Sequence, residues 1–460
     1  MRCEKVGGGL NTPFSERVNA LLESKGLKAG DRLVVERQGV SYEGYLMPRE
    51  EVERGDPDCL VIKLDSGYNV GVKIDDMVSI RKLPGAAAQL GKFDHYSPPP
   101  QNPRLPPVSI ISTGGTISSR VDYFTGAVAT LFSPEEVLQG VPELGEIIRI
   151  RSAEKLFNLY SEDLSPRNWC KMAEKVVEKL SEGDSGVLVL HGTDTMHYTA
   201  AALSFMVRNL SSPVVLVGAQ RSSDRGSRDT DMNLICASIL AARGDVGEVG
   251  ICMHGQMDDS FCLFIRGTRT RKMHTSRRDA FRPINEHPIA RIWPDGRIEY
   301  VNQSVRRGST KPFSDVAFEE KVALVRTYPG APPLLLDALL DSGYRGIVLE
   351  GTGLGHVPTQ PEDPRMSWLP SVTRGVEMGV VFAVTSQCLY GRTSSQVYRN
   401  AILLSEAGAI YLEDMLPEVA YVKLGWLLGH GFDPKKVKGL MASNIAGEVS
   451  TRIRPDTFLL

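Results

Sequence analysis

The stretch GVLVLHGTDT, residues 186–195, is the clearest indication of how this chain folds. An apolar run of strand length, Gly186–Leu190, ends directly in a turn that contains a glycine and two threonines. The stretch VSIISTGGTI, residues 108–117, has the same plan with a second apolar run and a second threonine turn. Because open α/β sheets bind ligands at the carboxyl ends of their strands, the two turns predict one site built from two strand ends.

Strand-like and helical patterns alternate on both sides of these turns. Further strands are predicted at Pro213–Val217 and Glu248–Met253, with helices near residues 166–180, 198–207 and 231–243. The alternation weakens near Tyr300–Phe313 and then resumes to the end of the chain. The pattern predicts an α/β fold with two parallel-sheet domains, a large one over residues 108–300 and a smaller one over 320–460.

The first 96 residues have a different pattern. A short helix over Glu16–Lys25 precedes five short runs of strand-forming residues separated by turn residues. These runs predict a small SH3- or Tudor-like β-barrel. The segment SPPPQNPRLPP, residues 97–107, is proline-rich and predicts a semi-rigid linker between this module and the core.

Composition limits the function classes. The chain has 460 residues, is 42% hydrophobic and 23% charged, and carries a formal net charge of −2, as expected of a globular protein with two or three domains. This charge provides no footprint for nucleic acid or an anionic membrane. No run has the length of a membrane span and no secretory leader is visible, so we expect a cytoplasmic protein. Seven cysteines without a CxxC pair and eight histidines without HExxH spacing argue against a metal enzyme.

Thr113 is a candidate nucleophile. Its hydroxyl lies at a strand end, beside glycines that allow the backbone to approach a ligand closely. Their N–H groups are suited to stabilise a developing oxyanion. A phosphate-cradling or purely structural turn is the alternative, although neither a Walker A nor a GxGxxG pattern is present.

Thr193 and Asp194 form the second candidate group. A threonine needs a nearby base to act as a nucleophile, and Lys272 in the stretch RGTRTRKMHTS is the candidate for that base. Neighbouring cations and partial burial favour the neutral amine that a base requires. The alternatives are that Thr193 and Asp194 cap the next helix, and that the basic stretch is a solvated loop or an anion-binding patch.

Three other residues are candidates for substrate contacts. Tyr123 lies in a Ser/Gly-containing loop after the first turn, where its hydroxyl could close over the site, or it is an ordinary surface tyrosine. Ser161 and Glu162 precede the helix that starts at Pro166, and they either contact a substrate amine or belong to a capping turn.

The motifs TGGTI, HGTDTM and RKMHTS, in this order, resemble the bacterial-type L-asparaginase and glutaminase family over residues 108–460. The resemblance implies a two-domain amidohydrolase that self-associates and uses no metal or cofactor. It implies Thr113 as the first-motif nucleophile, Thr193 and Asp194 as the second-motif pair, Lys272 as their lysine partner, Tyr123 as the lid tyrosine and Ser161 as the substrate-binding serine. The family usually has a glutamine where this chain has Glu162.

The N-terminal module and linker are absent from plain asparaginases. An asparaginase-like core behind a small barrel resembles the family of D subunits of archaeal-type Glu-tRNA(Gln) amidotransferases, as do the segments DYFTGAV and SED. The resemblance implies that the chain releases ammonia from glutamine or asparagine for a partner, the E subunit. That partner would bind tRNA(Gln), ATP and Mg²⁺, and an α2β2 heterotetramer is expected. Two alternatives remain open: a free-standing cytosolic L-asparaginase, and a non-catalytic scaffold carrying a Tudor-like binding module.

Overall fold

The computed structural model of the chain describes residues 14–47, 56–64, 69–83, 101–114, 119–121, 128–130, 140–221 and 228–459. The chain divides into two compact units. We call them the N-terminal unit, residues 1–97 and 119–130, and the core unit, residues 98–118 and 131–460. The predicted linker, residues 97–107, lies partly outside the described residues, and its last residue begins a strand of the core unit.

The N-terminal unit is a small antiparallel β structure with one helix. Its elements are α1 (Glu16–Ser24), β1 (Arg32–Arg37), β2 (Val40–Leu46), β3 (Cys59–Leu64), β4 (Asn69–Lys73) and β5 (Val78–Lys82). The strand order is β4-β3-β2-β1-β5, with every neighbouring pair antiparallel. Gln38 and Gly39 join β1 to β2 and both have positive φ, as a two-residue hairpin turn of type I′ requires. The predicted helix and all five predicted strands are therefore confirmed. The unit also includes the hairpin β7 (Ser119–Val121) and β8 (Val128–Thr130).

An eight-stranded sheet is the centre of the large domain in the core unit. Its strands are β6 (Pro107–Ser112), β9 (Arg149–Lys155), β10 (Gly186–Leu190), β12 (Val214–Val217), β13 (Val249–His254), β14 (Cys262–Arg266), β17 (Ala290–Ile292) and β18 (Ile298–Tyr300). They are ordered β18-β17-β14-β13-β12-β10-β6-β9. Five neighbouring strands of this sheet pair in parallel, as the alternation predicts; in sheet order they are β9, β6, β10, β12 and β13.

Helices cover both faces of this sheet. They are α2 (Leu144–Ile147), α3 (Pro166–Ser181), α4 (Met196–Met206) and α5 (Thr230–Arg243). Val187 and Val189 belong to a core cluster with α3 and α4, whereas Leu188 and Leu190 belong to a second cluster with α5. Successive strand residues point to opposite faces, so a strand that is buried on both sides must be apolar throughout.

One part of this sheet differs from the prediction of a parallel sheet. Strands β14, β17 and β18 extend it in antiparallel order. They follow β13 without crossover helices, and antiparallel neighbours need only short connections. Two short pairs complete the domain: β15 (Thr270–Lys272) with β16 (Phe281–Pro283), and β11 (Val207–Arg208) with β19 (Phe313–Ser314).

The smaller domain contains a four-stranded parallel sheet. Its strands are β20 (Val322–Arg326), β21 (Gly346–Gly351), β22 (Val381–Ser386) and β23 (Ile410–Tyr411), in that order. Its helices are α6 (Leu334–Asp341), α7 (Leu369–Glu377), α8 (Arg399–Glu406), α9 (Pro417–Gly429) and α10 (Pro434–Met441). Helix α9 packs against α4 of the large domain, and residues of both belong to one core cluster. The predicted fold class, an asparaginase-like two-domain α/β core preceded by a small β module, is confirmed.

Within the described ranges, no helix has both the length and the apolar character needed to cross a bilayer. Those same residues contain no group of three or more His, Cys, Asp or Glu side chains arranged to hold a metal ion. The six cysteines that the structure describes form no disulfide.

Candidate active site

The two threonine turns lie side by side, because β6 and β10 are parallel neighbours in the sheet. Ser112, the last residue of β6, pairs with Leu190, the last residue of β10. Thr113 and Thr193 therefore follow adjacent strands at the same sheet edge. This is the edge at which α/β sheets bind ligands.

The backbone holds Thr113 in place. Its N–H and its hydroxyl both donate to the carbonyl oxygen of Leu190, at 3.0 and 3.1 Å, and its own carbonyl accepts from the N–H of Leu159 at 3.2 Å. The next residue, Gly114, has a φ of +113°, and a Cβ there would lie 2.4 Å from the carbonyl oxygen of Leu159. Only glycine fits this position, which fixes how the chain leaves the threonine.

The Lys272 side chain contacts Thr193 and its neighbour Asp194. The Lys272 Nζ donates to the Thr193 hydroxyl at 2.9 Å and to Oδ1 of Asp194 at 2.6 Å. The Lys272 side chain is only 9% exposed, whereas that of Asp194 is 68% exposed, so the ammonium lies between a half-buried hydroxyl and a carboxylate open to solvent. The structure thus brings together three of the predicted catalytic residues, although 78 or 79 residues of chain separate Lys272 from the other two.

Ser161 and Glu162 lie in a single 3-10 turn, Ser161–Asp163, beside the second threonine turn. A Cβ on Gly192 would lie 3.0 Å from the Ser161 Cβ, and the Ser161 carbonyl accepts from the Thr195 hydroxyl at 2.6 Å. The Ser161 hydroxyl donates to the Glu162 carboxylate at 3.3 Å. The pair does not cap the following helix, since Ser165 and Asn168 form the capping box of α3.

Tyr123 lies outside the described residues, and its predicted contact with the substrate remains a prediction. The same holds for Gly115, the second glycine of the first turn.

A buried hydrogen-bond chain lies behind the second turn and was not predicted. The Trp169 indole N–H donates to the Thr199 hydroxyl at 3.1 Å, the Thr199 hydroxyl lies 2.9 Å from the His191 Nε2, and the His191 Nδ1 lies 2.6 Å from the Gly192 carbonyl oxygen. An indole N–H can only donate and a carbonyl can only accept, so Thr199 donates to Nε2 and Nδ1 carries the imidazole proton. Burial lowers the pKa of His191 to about 4, which keeps the ring neutral. Its sequence position at a strand end provides no indication of this network.

The basic stretch around Lys272 is a solvated loop only in part: residues 266–272 lie in β14, a 3-10 turn and β15, whereas residues 273–277 are exposed and lie outside the strands and helices. Each of the five arginines over residues 266–278 forms an ion pair with a carboxylate, which argues against an anion-binding patch. The partners are Glu248 and Glu286 for Arg266, Asp414 for Arg269, Glu418 for Arg271, Asp279 for Arg277 and Asp259 for Arg278. Each cation near Lys272 is therefore neutralised by its own carboxylate. Composition alone does not indicate which carboxylates lie close to these arginines in the folded chain.

Arg271 joins the strand that carries Lys272 to the smaller domain. Its guanidinium donates to the fully buried Glu418 of α9 at 2.7 Å. His197 lies 3.9 Å from the same carboxylate. Burial, together with the charges of Arg271 and Lys272, lowers the pKa of His197 to about 3. Burial also raises the pKa of the adjacent Tyr198 to about 12. Both neighbours of the ion pair are thus neutral near pH 7, and Arg271 provides the positive charge next to Glu418.

Three family models match the chain. The asparaginase N-terminal model matches residues 107–306, the glutaminase/asparaginase C-terminal domain model matches residues 321–441, and the GatD N-terminal domain model matches residues 27–83. Among solved structures, a thermostable L-asparaginase from Thermococcus kodakarensis superposes with a TM-score of 0.66 at 30% identity, covering 75% of this chain and all of that one. L-asparaginase I from Vibrio cholerae superposes with a TM-score of 0.64 at 28% identity, covering 75% of this chain and 99% of that one.

Curated relatives extend over nearly the whole chain. The D subunit of glutamyl-tRNA(Gln) amidotransferase from Pyrococcus furiosus is 49% identical over 96% of this chain and all of its own length. The D subunit from Methanopyrus kandleri is 49% identical over 95% of this chain and 94% of its own length. A match of this length includes most of the N-terminal unit, which lies ahead of the asparaginase core. The chain therefore belongs to the family of glutamyl-tRNA(Gln) amidotransferase D subunits.

Proposed function

We propose that this chain is the amidase subunit of a Glu-tRNA(Gln) amidotransferase and releases ammonia from glutamine or asparagine. The observation that carries the proposal is the hydrogen-bonded set of Thr193, Asp194 and Lys272 beside Thr113, at the sheet edge of an asparaginase-type core. Amide cleavage requires a hydroxyl nucleophile and a group that moves protons, and here the Thr113 hydroxyl follows the strand next to the one that carries Thr193, which Lys272 contacts.

In the proposed reaction, Lys272 first loses a proton to solvent; the Thr113 oxygen then bonds to the carboxamide carbon of the substrate, and the Thr113 proton passes to the resulting amine. The tetrahedral intermediate collapses when the C–N bond breaks, and the leaving nitrogen takes a proton from the Lys272 ammonium to depart as ammonia. Water then adds to the acyl-enzyme ester, the bond between the acyl carbon and the Thr113 oxygen breaks, and the free acid leaves while a proton from the water returns to Thr113. Thr193 and the backbone N–H groups of the first turn stabilise the oxyanion, and Asp194 orients the lysine.

Ser161 and Glu162 are proposed to bind the amino-acid end of the substrate. The carboxylate of Glu162 suits the substrate ammonium, and the Ser161 hydroxyl suits its carboxylate. Their position beside Gly192 supports this role, since it puts them next to the turn that carries Thr193. Tyr123 is proposed as the lid residue over Thr113.

The ammonia acceptor belongs to a partner chain in this proposal. The E subunit would bind Glu-tRNA(Gln), activate the glutamyl carboxylate with ATP and Mg²⁺, and convert it to the amide with the ammonia received. The names of the relatives, which describe one subunit of a glutamyl-tRNA(Gln) amidotransferase, support a partner. The formal net charge of −2 also favours a partner as the principal tRNA-binding chain. An α2β2 assembly in the cytoplasm is the proposed form, and this chain needs no cofactor of its own.

The test uses the assembled complex with glutamine or free ammonia as the nitrogen source. Thr113→Val and Lys272→Ala are each expected to abolish Gln-tRNA(Gln) formation from glutamine, while formation from ammonium chloride continues. The exposed Lys311 provides a control variant, Lys311→Ala, which is expected to behave as wild type. Full glutamine-dependent activity in either active-site variant would refute the proposal.

A free-standing L-asparaginase is the second candidate, favoured by the 30% identity of the core to a solved enzyme of that activity. Assaying the purified chain alone on asparagine and glutamine separates the two functions. Vigorous turnover of asparagine without a partner or tRNA would favour the second.

A further inference from the structure

Gln220 lies at the end of the strand next to β10, in the turn Gly218–Gln220 that follows β12. The fully buried carboxylate of Asp229 holds this turn by accepting from the Gln220 N–H through Oδ2 and from the Arg221 N–H through Oδ1, both at 3.0 Å. The Asn233 side-chain amide donates to the Gly218 carbonyl at 3.0 Å and to Asp229 Oδ2 at 3.2 Å. A buried carboxylate with these donors is strongly bound, so the backbone that carries Gln220 is fixed in position.

The same turn packs directly on the second threonine turn. A Cβ on Gly218 would lie 2.8 Å from the Thr193 Cγ2 and 3.0 Å from the His191 carbonyl oxygen. No side chain fits at residue 218, and its absence allows the two turns to touch. The Gln220 side chain is consequently placed against the hydroxyl that Lys272 contacts.

The two ends of the Gln220 amide are used differently. Its Oε1 lies 3.4 Å from the Thr193 hydroxyl and can only accept, so Thr193 donates to it while accepting from Lys272. Its Nε2 is buried and has no hydrogen-bond partner among the protein groups that the structure describes. A buried donor without a partner costs about 1–3 kcal/mol, and such groups mark places where a ligand completes the hydrogen bonding.

We propose that the Gln220 Nε2 donates a hydrogen bond to the carboxamide oxygen of the substrate, and so contributes to the oxyanion site. The inference rests on the proposed amidase function. The amide head of Gln220 contacts the Thr193 hydroxyl through Oε1, so Nε2, which has no partner among the described protein groups, is the atom available to the substrate oxygen. That oxygen becomes negative when the nucleophile adds, so the hydrogen bond strengthens in the transition state and raises kcat rather than only lowering KM.

Two substitutions test this role in the assembled complex with glutamine as substrate. Gln220→Met keeps the length of the side chain but removes the donor, and kcat is expected to fall on the order of 10²-fold with a smaller change in KM. Gln220→Glu replaces the donor by a group that donates only when it is protonated. Its activity relative to wild type is expected to rise as the pH falls, because the carboxylic acid form restores an O–H donor.

The exposed Gln360 of the smaller domain provides the matched control, Gln360→Met, which is expected to retain the wild-type kcat. A kcat of Gln220→Met within about twofold of wild type, or a flat pH ratio for Gln220→Glu, would overturn the role of Gln220. Lys272→Ala in the same assay keeps the two proposals distinguishable. If that variant is inactive while Gln220→Met is fully active, only the inference about Gln220 fails; if it is active, the proposed function fails.

Discussion

The two threonine turns look alike in sequence and differ in what surrounds each hydroxyl. Within the described part of the chain, the Thr113 hydroxyl is bound by the main chain, since it donates to the Leu190 carbonyl. Thr193 contacts two side chains, the Lys272 ammonium and the Gln220 amide. One turn therefore depends on the backbone of the sheet, and the other on side chains that arrive from distant parts of the chain.

This difference suggests a division of roles. A hydroxyl that is positioned by the sheet is oriented reproducibly, but a backbone carbonyl cannot serve as its base. A hydroxyl bound to a lysine, which is itself bound to Asp194, has a route for proton movement. We infer that Thr113 provides the attacking oxygen and that the second turn manages protons and charge. If so, changes around Thr193 should alter proton transfer, whereas changes at Thr113 should matter only when the hydroxyl is lost.

The largest expected difference between the two turns is in how protein stability depends on acid pH, because His191 lies behind the second turn. The pKa of His191, behind the second turn, is lowered to about 4 by burial, from an unfolded value of 6.5. As the pH falls, His191 of the unfolded chain binds its proton first. The contribution of neutral His191 to the free energy of unfolding is therefore complete above pH 6.5 and is lost by about pH 4, a change of roughly 3 kcal/mol. Melting temperatures measured from pH 7 to pH 4 should fall more steeply in wild type than in His191→Asn. Equal dependence of the melting temperature on pH in the two proteins would contradict the neutral, buried state of His191.

Asp194→Asn tests whether the second turn needs a charged partner for Lys272. The carboxylate lies 2.6 Å from the lysine Nζ, and losing it should leave the amine poorly oriented. We expect kcat for ammonia release to fall on the order of 10²-fold, the lower range for a disturbed acid–base group. The exposed Asp295 offers the control, Asp295→Asn, for which no change is expected. An unaffected kcat in Asp194→Asn would contradict the inference that the second turn manages protons through Lys272 and Asp194.

Glu418→Gln tests whether the second turn also depends on the smaller domain. The substitution removes the charge that pairs with Arg271, the neighbour of Lys272 on β15. Because Arg271 is 34% exposed, we expect a loss of only about 1–2 kcal/mol, seen as a melting temperature lowered by a few degrees, with a kcat reduced about tenfold. Glu377→Gln, at an exposed position of α7, is the control. Indistinguishable behaviour of the two variants would show that Arg271 does not depend on Glu418.

Thr113→Ser should have the smallest effect of the four. The hydroxyl and its bond to the Leu190 carbonyl are retained, and only a buried methyl group is lost. We expect ammonia release within about tenfold of wild type, and a stability loss of about 1 kcal/mol. If Thr113→Ser were as inactive as Thr113→Val, the hydroxyl alone would not account for the function of this residue.

The sheet strands and the helices that cover them were readily predicted from the sequence. Strand Gly186–Leu190 has the predicted bounds, because a strand covered on both faces must be continuously apolar and turn residues mark its ends. Strands β14, β17 and β18 were missed. They are three to five residues long, and so short a pattern does not indicate whether its neighbour is parallel or antiparallel.

The candidate site was predicted in part. Lys272 was assigned to Thr193 and Asp194, and the structure brings the three side chains into hydrogen-bond distance. Gln220 and Asp229 are not identified from the sequence. The local pattern does not distinguish a carboxylate that holds a turn, as Asp229 does, from one that starts a helix, and Gln220 matters only through the turn that Asp229 holds.

Local chemistry and periodicity, readable in the sequence, determined the strands, the threonine turns at their ends and the separate N-terminal module. These depend on interactions between residues a few positions apart, or on which face of a strand is apolar. Only the tertiary structure decided that Thr113 is bound by backbone and Thr193 by Lys272 and Gln220, and that each arginine near Lys272 has its own carboxylate. Those contacts join residues up to 147 positions apart, and their geometry exists only after the sheet and helices have packed.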